Sequence, residues 1–399
     1  MNAILKPRVR QTHQLKMEKM RIGIVCYPTY GGSGVVATEL GKALAQKGHE
    51  VHFISYRVPA RLDSFVENIF FHEVNFADYP LFERAPYESA LTSKIVDTVL
   101  HAKLDILHVH YAIPHAATAY FAREILKTKN IYLPYITTLH GTDITLVGKD
   151  ATYEPVVTFS INKSDGVTAV SEYLKEETYT SFQIDQEIKV ITNFIDLDRF
   201  HKAKKEHFKK AIAPLGEKIL IHTSNFRQVK RTDDVVKIFR KVLDKIPSKL
   251  LLVGDGPERQ SMEQLCRELD VMEHVRFLGK QEAVEELLAV SDLFLFPSET
   301  ESFGLAALEA MACQVPVIST NAGGIPEVNI DGVTGYMSAV GDVDSMAENS
   351  INLLLDENKL NLFKQNALKQ AHEFDVHKIL PEYEDFYRLV IERSKVEQL

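Results

Sequence analysis

The sequence is poor in cysteine, with only three in 399 residues. An odd number of widely spaced cysteines is typical of a protein from a reducing compartment. Cys26 lies in an apolar run and Cys313 follows an apolar helix-length segment. Both are therefore predicted to be buried packing residues rather than reactive groups, since free cysteine behaves as a small hydrophobic side chain.

Long apolar runs are also missing. No stretch reaches the roughly 18 consecutive apolar residues that a transmembrane helix requires. Residues 1–19 are polar and basic without an apolar centre, which excludes a secretory signal within them. We interpret 1–19 as an upstream extension or a cloning remnant, and we expect a cytoplasmic protein that has no membrane as a partner.

An excess of positive charge is the third absence, because the formal net charge is −9. Nucleic acids and anionic membranes are bound mainly through broad basic surfaces. Neither is therefore expected as the main partner. Basic residues that serve function must act locally, beside a particular ligand.

What the sequence does contain is a regular alternation of short apolar runs and helix-length segments, which begins near Met20 and restarts near Lys218. This pattern predicts an α/β protein with two Rossmann-like, doubly wound domains that face each other across a cleft. We place the first domain at 20–197 and the second at 198–378, with a linker at 198–210 and a C-terminal helix at 379–399 that packs back on the first domain. The predicted strands are 21–27, 51–55, 105–110, 135–140, 166–170 and 189–192 in the first domain, and 219–224, 249–254, 275–278, 293–296 and 315–318 in the second.

A glycine-rich loop, Gly31-Gly-Ser-Gly34, follows the first predicted strand and opens a helix. Backbone N–H groups at such a helix start can bind an anion. The segment 32–37 also matches the dinucleotide fingerprint G-x-G-x-x-A, but the second strand is followed by Arg57 and no acidic ribose partner. Anion or acceptor binding is the favoured interpretation. A structural turn and an NADP-dependent oxidoreductase remain open alternatives.

A histidine lies at another predicted strand end, in Thr137-Thr-Leu-His-Gly-Thr-Asp143. Gly141 permits a sharp turn, and ligands bind at the carboxyl ends of strands in doubly wound sheets. We therefore predict that His140 belongs to a site, near Thr138 and Asp143. For His108 and His110, a packed structural role and a site role are equally compatible with the pattern.

The segment Ser224-Asn-Phe-Arg-Gln-Val-Lys-Arg231 ends the first strand of the second domain. Arginine suits bidentate contact with phosphate, and lysine supplies a compact point charge. Arg227 and Lys230 are therefore predicted to bind phosphate, whereas Arg231 is equally compatible with a solvated surface charge.

The most unusual stretch is Pro297-Ser-Glu-Thr-Glu-Ser-Phe-Gly-Leu-Ala-Ala-Leu-Glu-Ala-Met-Ala312. It predicts an apolar helix that starts near Gly304 and offers free N–H groups to an anion. Glu309 lies just over one turn inside this helix, and Glu301 lies on the loop before it. Such a pair suits a nucleoside diphosphate that carries a polyol, with one carboxylate for the hydroxyls at each end. The alternative is that the acid of the helix is satisfied by local backbone.

Glu301 and Glu309, separated by seven residues and followed by Ala310-Met-Ala312, resemble the E-x7-E signature of retaining GT-B glycosyltransferases. The resemblance runs from Met20 to about Phe386 and includes the glycine-rich loop, His140-Gly141 and the Arg227/Lys230 pair. It implies an acceptor-binding first domain, a nucleotide-sugar-binding second domain, and catalysis without a metal or another cofactor. Asp196-Leu-Asp198 looks like a metal-binding D-x-D, but it lies beside the linker, so we interpret it as structural.

The resemblance also implies a role for individual residues. Glu309 would bind the ribose hydroxyls and Glu301 the transferred sugar, while Arg227 and Lys230 neutralise the diphosphate and His140 contacts the primary hydroxyl of the sugar. The implied catalytic residues are His140, Arg227, Lys230 and Glu301; the donor-binding residues are Gly32, Asn193, Arg227, Lys230, Glu301, Phe303, Gly304, Leu305 and Glu309; the acceptor-binding residues are Ser33, Tyr111 and Thr138.

Three stretches, 26–34, 108–115 and 138–143, are similar to the members of this family that act on L-malate in bacillithiol biosynthesis. This narrower likeness implies UDP-N-acetylglucosamine as donor and L-malate as acceptor. The same residues are also compatible with a glycosyltransferase that uses a lipid or polysaccharide acceptor, or with a non-catalytic sensor of sugar nucleotides. The sequence leaves the oligomeric state open, with a homodimer as one alternative.

Overall fold

The computed structural model describes residues 19–62, 65–76, 86–203 and 205–396. Within them the chain forms two parallel sheets, one of seven strands and one of six. The first sheet contains β1 (Arg21–Val25), β2 (Glu50–Ser55), β3 (Ile69–Glu73), β4 (Ile106–His110), β5 (Tyr135–Leu139), β6 (Gly166–Ala169) and β7 (Ile188–Val190). The second contains β8 (Lys218–Thr223), β9 (Ser248–Val253), β10 (Val275–Gly279), β11 (Leu293–Phe296), β12 (Val317–Thr320) and β13 (Gly335–Ser338).

The helices cover both sheets and extend the C-terminal region. The first domain carries α1 (Gly32–Gln46), α2 (Tyr87–Ala102), α3 (Ala117–Lys127), α4 (Glu154–Asn162) and α5 (Glu172–Ser181). They are followed by α6 (Glu206–Ile212), α7 (Thr232–Leu243), α8 (Arg259–Glu268), α9 (Val284–Val290), α10 (Leu305–Ala312), α11 (Ile325–Val328), α12 (Val343–Leu355), α13 (Glu357–Ala371) and α14 (Val376–Val396).

Strand order confirms the predicted doubly wound architecture. The first sheet runs β3-β2-β1-β4-β5-β6-β7 and the second β10-β9-β8-β11-β12-β13, with every pairing parallel. The order reverses between β1 and β4 in the first sheet, and between β8 and β11 in the second. Ligand crevices form outside the carboxyl ends of strands at such reversal points. The glycine-rich loop, Tyr111, Arg227 and Glu301 all follow one of these four strands.

Sequence patterning missed two strands and one helix. β3 and β13 are edge strands, and their side chains are mostly only half-buried, so neither gives a continuous apolar run. The predicted linker at 198–210 contains the start of α6, whose lysines and single fully buried residue hide its helical character. The predicted 1–19 extension lies outside the described residues except for Lys19.

The last helix packs on the first sheet. Leu380, Tyr383 and Tyr387 of α14 join the core that contains β1 and α1. The Nε2 atom of buried His49 lies 2.9 Å from a carboxylate oxygen of Glu384, which ties the helix to the loop before β2. The chain therefore crosses between the two sheets a second time after α13.

The three cysteines are buried, as predicted for Cys26 and Cys313, and all are free thiols. Burial raises the pKa of the Cys26 and Cys313 thiols to about 12, so neither forms a thiolate at neutral pH. Over the described ranges, no helix combines the length and apolar character that crossing a membrane requires.

Candidate active site

A cavity of about 900 Å³ lies between the two sheets, at the reversal points of both. Residues from each domain line it. The predicted site residues found in its wall are Gly32, Ser33, Tyr111, His140, Asn193, Arg227, Lys230, Glu301, Phe303, Gly304 and Leu305.

Two predicted site residues do not face this cavity. Thr138 is fully buried behind it, and its hydroxyl bonds to His108 Nε2 at 2.6 Å and to Thr168 Oγ1 at 2.7 Å. Glu309 lies in the wall of a separate, much smaller cavity. The structure therefore does not bring either side chain into the main cleft.

The second domain presents a helix start to the cleft. α10 begins at Leu305, and Gly304 before it has a φ of 100°, in the left-handed region that favours glycine. The first turn of α10 has no acidic residue, and no side chain caps it. Its leading N–H groups, with the positive end of the helix dipole, are therefore available to an anion in the cavity.

The cationic residues of the cleft lie beside this helix start. Lys230 ends a short 3₁₀ turn, and its Nζ lies 2.5 Å from Oε1 of Glu301. Arg227 lines the same wall and has no ion pair among the residues the structure describes. A sugar diphosphate placed here would meet a free guanidinium, a lysine that already orients Glu301, and the start of α10.

The first domain supplies a second helix start. α1 begins at Gly32 and also lacks a side-chain cap or an acidic residue in its first turn. Tyr111, held at a φ of 89°, lines the cavity close to it. Burial raises the pKa of Tyr111, so its hydroxyl stays protonated and can donate a hydrogen bond. This wall suits a small anionic ligand.

His140 reaches the cleft as part of a histidine cluster. Its Nε2 lies 2.8 Å from Nδ1 of His110, which is fully buried, and Nδ1 of buried His115 bonds to the His110 carbonyl at 2.5 Å. Burial lowers the pKa of His140 to about 3. His140 is therefore a neutral hydrogen-bonding group at physiological pH, not a cation.

Asp143 fixes the two loops that carry these residues. Its carboxylate accepts hydrogen bonds from the N–H of Ala112 at 2.9 Å and of Gly141 at 3.0 Å. Burial raises the pKa of Asp143 to about 6 in spite of these bonds. Because the two donors lie in the segments that follow β4 and β5, Asp143 fixes the positions of Tyr111 and His140 relative to each other.

The domains touch closely beside the cleft. A Cβ atom added to Gly141 would lie 1.6 Å from Ser302 Oγ of the other domain, so only glycine permits this approach. Ser171 Oγ donates to the Ser302 carbonyl at 2.5 Å, and the Glu327 carboxylate accepts the N–H of Tyr173 at 2.9 Å. The two domains are therefore in direct contact beside the cleft that lies between them.

Glu309, the acid inside the apolar helix, is paired across the domain boundary. Arg61, which follows β2, places Nη2 3.1 Å from Glu309 Oε1, and both side chains are nearly buried, at 13% and 10% exposure. The Glu309 carboxylate is therefore paired with an arginine of the other domain, and not with local backbone groups as the alternative supposed. Sequence reasoning missed Arg61, because a lone arginine in a loop carries no signal that separates it from a solvated charge.

The first aspartate of the D-x-D segment caps a turn. Asp196 Oδ1 accepts the backbone N–H of Asp198 at 2.9 Å and of Arg199 at 3.3 Å, which closes a turn. In the described part of the chain, no group of three or more His, Cys, Asp or Glu side chains is arranged to hold a metal ion.

Family models match most of the chain. Residues 203–370 match the model described as "Glycosyl transferases group 1", and residues 30–199 match "Glycosyltransferase Family 4". The N-acetyl-alpha-D-glucosaminyl L-malate synthase of Bacillus anthracis is 48% identical over 379 residues, which covers 94% of this chain and 99% of that protein. The 2-deoxystreptamine N-acetyl-D-glucosaminyltransferase of Niallia circulans is 24% identical, over 90% of this chain and 97% of that protein.

Solved structures share the whole architecture. The sucrose-phosphate synthase of Thermosynechococcus elongatus superposes with a TM-score of 0.77 at 19% identity, over 94% of this chain and 100% of that one. Anabaena HepE in complex with UDP and glucose also gives a TM-score of 0.77, at 22% identity, over 92% of this chain and 99% of that one. At these identities, the likeness concerns the fold alone.

Proposed function

Because the chain belongs to the group 1 glycosyltransferases and has their GT-B fold, we propose that it transfers N-acetylglucosamine from UDP-N-acetylglucosamine to the hydroxyl of L-malate. The reaction would retain the α-configuration and begin bacillithiol synthesis in the cytoplasm. One observation carries this proposal: a single cleft joins a cationic helix start in one domain to an uncapped, uncharged helix start in the other. The 48% identical relative, named for this product, supports the choice of substrates.

The second domain is proposed to bind the donor. Breaking the bond between the sugar and the diphosphate builds negative charge on the leaving oxygen, and prearranged donors aimed at that charge lower the barrier. Arg227, Lys230 and the first N–H groups of α10 provide such donors on one wall. Since these groups supply the positive charge, the proposal assigns no metal to the diphosphate. Glu301, oriented by Lys230, would bind the hydroxyls of the transferred sugar.

The first domain is proposed to bind the acceptor. L-malate carries two carboxylates at neutral pH, and an uncapped helix start binds carboxylates through backbone N–H groups. The first turn of α1, with Ser33, would hold one end of malate, and the protonated Tyr111 hydroxyl would donate to it. Neutral His140 would contact the sugar between the two substrates.

The transfer is proposed to occur by attack on the same face that the diphosphate leaves. A double displacement needs a free carboxylate nucleophile beside the anomeric carbon. Glu301, the glutamate that the proposal places at the sugar, is paired with Lys230 at 2.5 Å, and we assign it to binding. The malate hydroxyl would form the new C–O bond as the old one breaks, and its proton would pass to an oxygen of the departing diphosphate. Trapping a covalent glycosyl-enzyme would contradict this scheme.

A product assay tests the proposal. The purified protein is incubated with UDP-N-acetylglucosamine and, in parallel, with L-malate, D-malate, L-lactate, glycerol or a lipid acceptor. The products are weighed by mass spectrometry, and the anomeric coupling constant of the product is read by NMR. We expect one N-acetylglucosaminyl adduct of L-malate, α-linked, formed equally well in EDTA. Transfer only to another acceptor would overturn the malate assignment, and release of UDP without any adduct would overturn the transferase.

Glu309→Ala is expected to weaken UDP binding about 10- to 100-fold, because a hydrogen bond to a charged group contributes about 1.5–3 kcal/mol. We assign this carboxylate to the ribose hydroxyls, as the E-x7-E resemblance implies, and the substitution removes that contact. Titration calorimetry with UDP measures the change. Glu299→Ala, an exposed glutamate on the same loop as Glu301, is the matched control and should bind UDP normally. Unchanged UDP affinity in the Glu309 variant would remove its ribose role.

A further inference from the structure

Arg61 joins the first domain to the carboxylate that the proposed function assigns to the ribose. Its backbone has a φ of 65°, in the left-handed region, and its guanidinium lies 5.4 Å from the ring centre of Phe200. A non-glycine residue in this region is strained and persists only where the surroundings fix it. The backbone conformation of Arg61, the Phe200 ring and the Glu309 carboxylate 3.1 Å away therefore fix the position of the guanidinium together.

The donor and Arg61 would compete for the same group. Glu309 is paired with Arg61 in the structure, so the guanidinium occupies the space beside the carboxylate that ribose hydroxyls would need. The cavity around this pair offers only about 10 Å³, which is room for a single water at most. Uridine binding at Glu309 therefore requires that the Arg61 side chain moves.

A second carboxylate lies in the same small cavity. Glu39, on α1, lines it together with Arg61 and Glu309. Its Oε1 is buried and has no hydrogen-bond partner among the described residues, although Arg199 Nη1 lies 3.8 Å away. Its Oε2 lies 3.4 Å from Lys42 Nζ. A buried carboxylate oxygen without a donor is an unusual and costly feature, and it is a ready acceptor for a displaced guanidinium.

We propose that Arg61 is a positioning residue that changes partner during the reaction cycle: it leaves Glu309 for Glu39 when the ribose binds, and returns to Glu309 when UDP leaves. This inference rests on the proposed donor site. Arg61 and Glu39 both belong to the first domain, whereas Glu309 belongs to the second. The exchange therefore removes a direct bond between the domains, and it sets the affinity for UDP by competition.

The competition predicts an opposite effect for two substitutions, measured as the UDP dissociation constant by calorimetry. Arg61→Ala should bind UDP about five- to tenfold more tightly, because Glu309 no longer has to be freed. Glu39→Gln should bind UDP about five- to tenfold more weakly, because the displaced guanidinium loses its charged acceptor. In a protein that already carries Arg61→Ala, adding Glu39→Gln should not change the UDP affinity further. Arg61→Lys should lie near the wild type, and Arg57→Ala, an exposed arginine of the same loop, should not change.

Two outcomes would overturn the exchange. Weaker UDP binding in a stably folded Arg61→Ala protein would make Arg61 a direct donor contact. An effect of Glu39→Gln that is equal with and without Arg61 would make Glu39 independent of it. A misfolded variant loses UDP affinity, so the expected gain in affinity cannot arise from misfolding. If the wild type itself binds no UDP, the proposed donor site is wrong as well as the exchange.

Discussion

Replacing Lys230 by alanine is expected to lower kcat about 10²- to 10³-fold, while KM for UDP-N-acetylglucosamine changes less than about tenfold. The ammonium group of Lys230 lies in the cleft wall, 2.5 Å from Glu301 and close to the start of α10. Negative charge on the diphosphate grows as the sugar leaves, so a fixed cation at this point stabilises the transition state more than the bound substrate. A loss confined to KM would show that Lys230 only binds the donor.

Removing Lys230 also leaves Glu301 without its cation, and the assay must separate these effects. The double variant Lys230→Ala with Glu301→Gln removes the unpaired charge. If the loss came from repulsion between Glu301 and the diphosphate, the double variant would recover activity. We expect no recovery, because each side chain is proposed to make its own contact with the donor. Lys241→Ala, whose lysine pairs with Asp344 on the surface, is the matched control and should retain full activity.

The fold could be predicted because each buried strand is a short apolar run bounded by polar turns. β11, Leu-Phe-Leu-Phe, is fully buried, and Glu301 follows soon after it. In a parallel sheet, the carboxyl ends of neighbouring strands share one edge. The predicted site residues at those ends, such as His140 after β5 and Lys230 after β8, therefore lie on the carboxyl edges of their own sheets, and the structure places both in one cleft.

What escaped prediction depends on contacts between distant segments. Arg61 and Glu309 are 248 positions apart, and no local pattern relates them. Thr138 lies in β5, where successive side chains point to opposite faces of the sheet. The face that Thr138 occupies depends on the packing of His108 and α14, which sequence periodicity does not specify. The edge strand β3 is half-exposed, so its apolar pattern is too weak to distinguish it from a loop.

Lowering the pH from 7 to 5 is expected to destabilise the protein by at least about 4 kcal/mol, the contribution of three buried histidines behind the cleft, His108, His110 and His115, less that of Asp143. Burial lowers the pKa of His108 to about 3 and of His115 to about 4, and that of His110 well below its ordinary 6.5. In the unfolded chain these groups take up protons below about pH 6.5, whereas in the folded protein they stay neutral. The unfolded state then binds more protons, so the stability present above pH 6.5 is lost as the pH falls.

Each histidine contributes at most about 1.4 kcal/mol per pH unit in this window. Asp143 acts in the opposite direction: its folded pKa of about 6 lies above the ordinary 3.8, so protonation below pH 6 favours the folded state. One carboxylate offsets only part of the effect of three imidazoles. Carboxylates with lowered pKa, such as Asp292, lose their contribution only below about pH 4 and do not act between pH 5 and 7.

Urea unfolding at pH 7.0 and 5.0 measures this change. Since the chain contains no tryptophan, helix content by circular dichroism is the suitable signal. The midpoint should fall clearly at pH 5.0, and His101→Gln, whose ring is 79% exposed, should leave that fall unchanged. Equal midpoints at the two pH values would mean that the cluster behind the cleft is hydrated and titrates normally. In that case His140, bonded to His110 at 2.8 Å, could carry a charge beside the bound sugar, and its assignment as a neutral contact would have to be withdrawn.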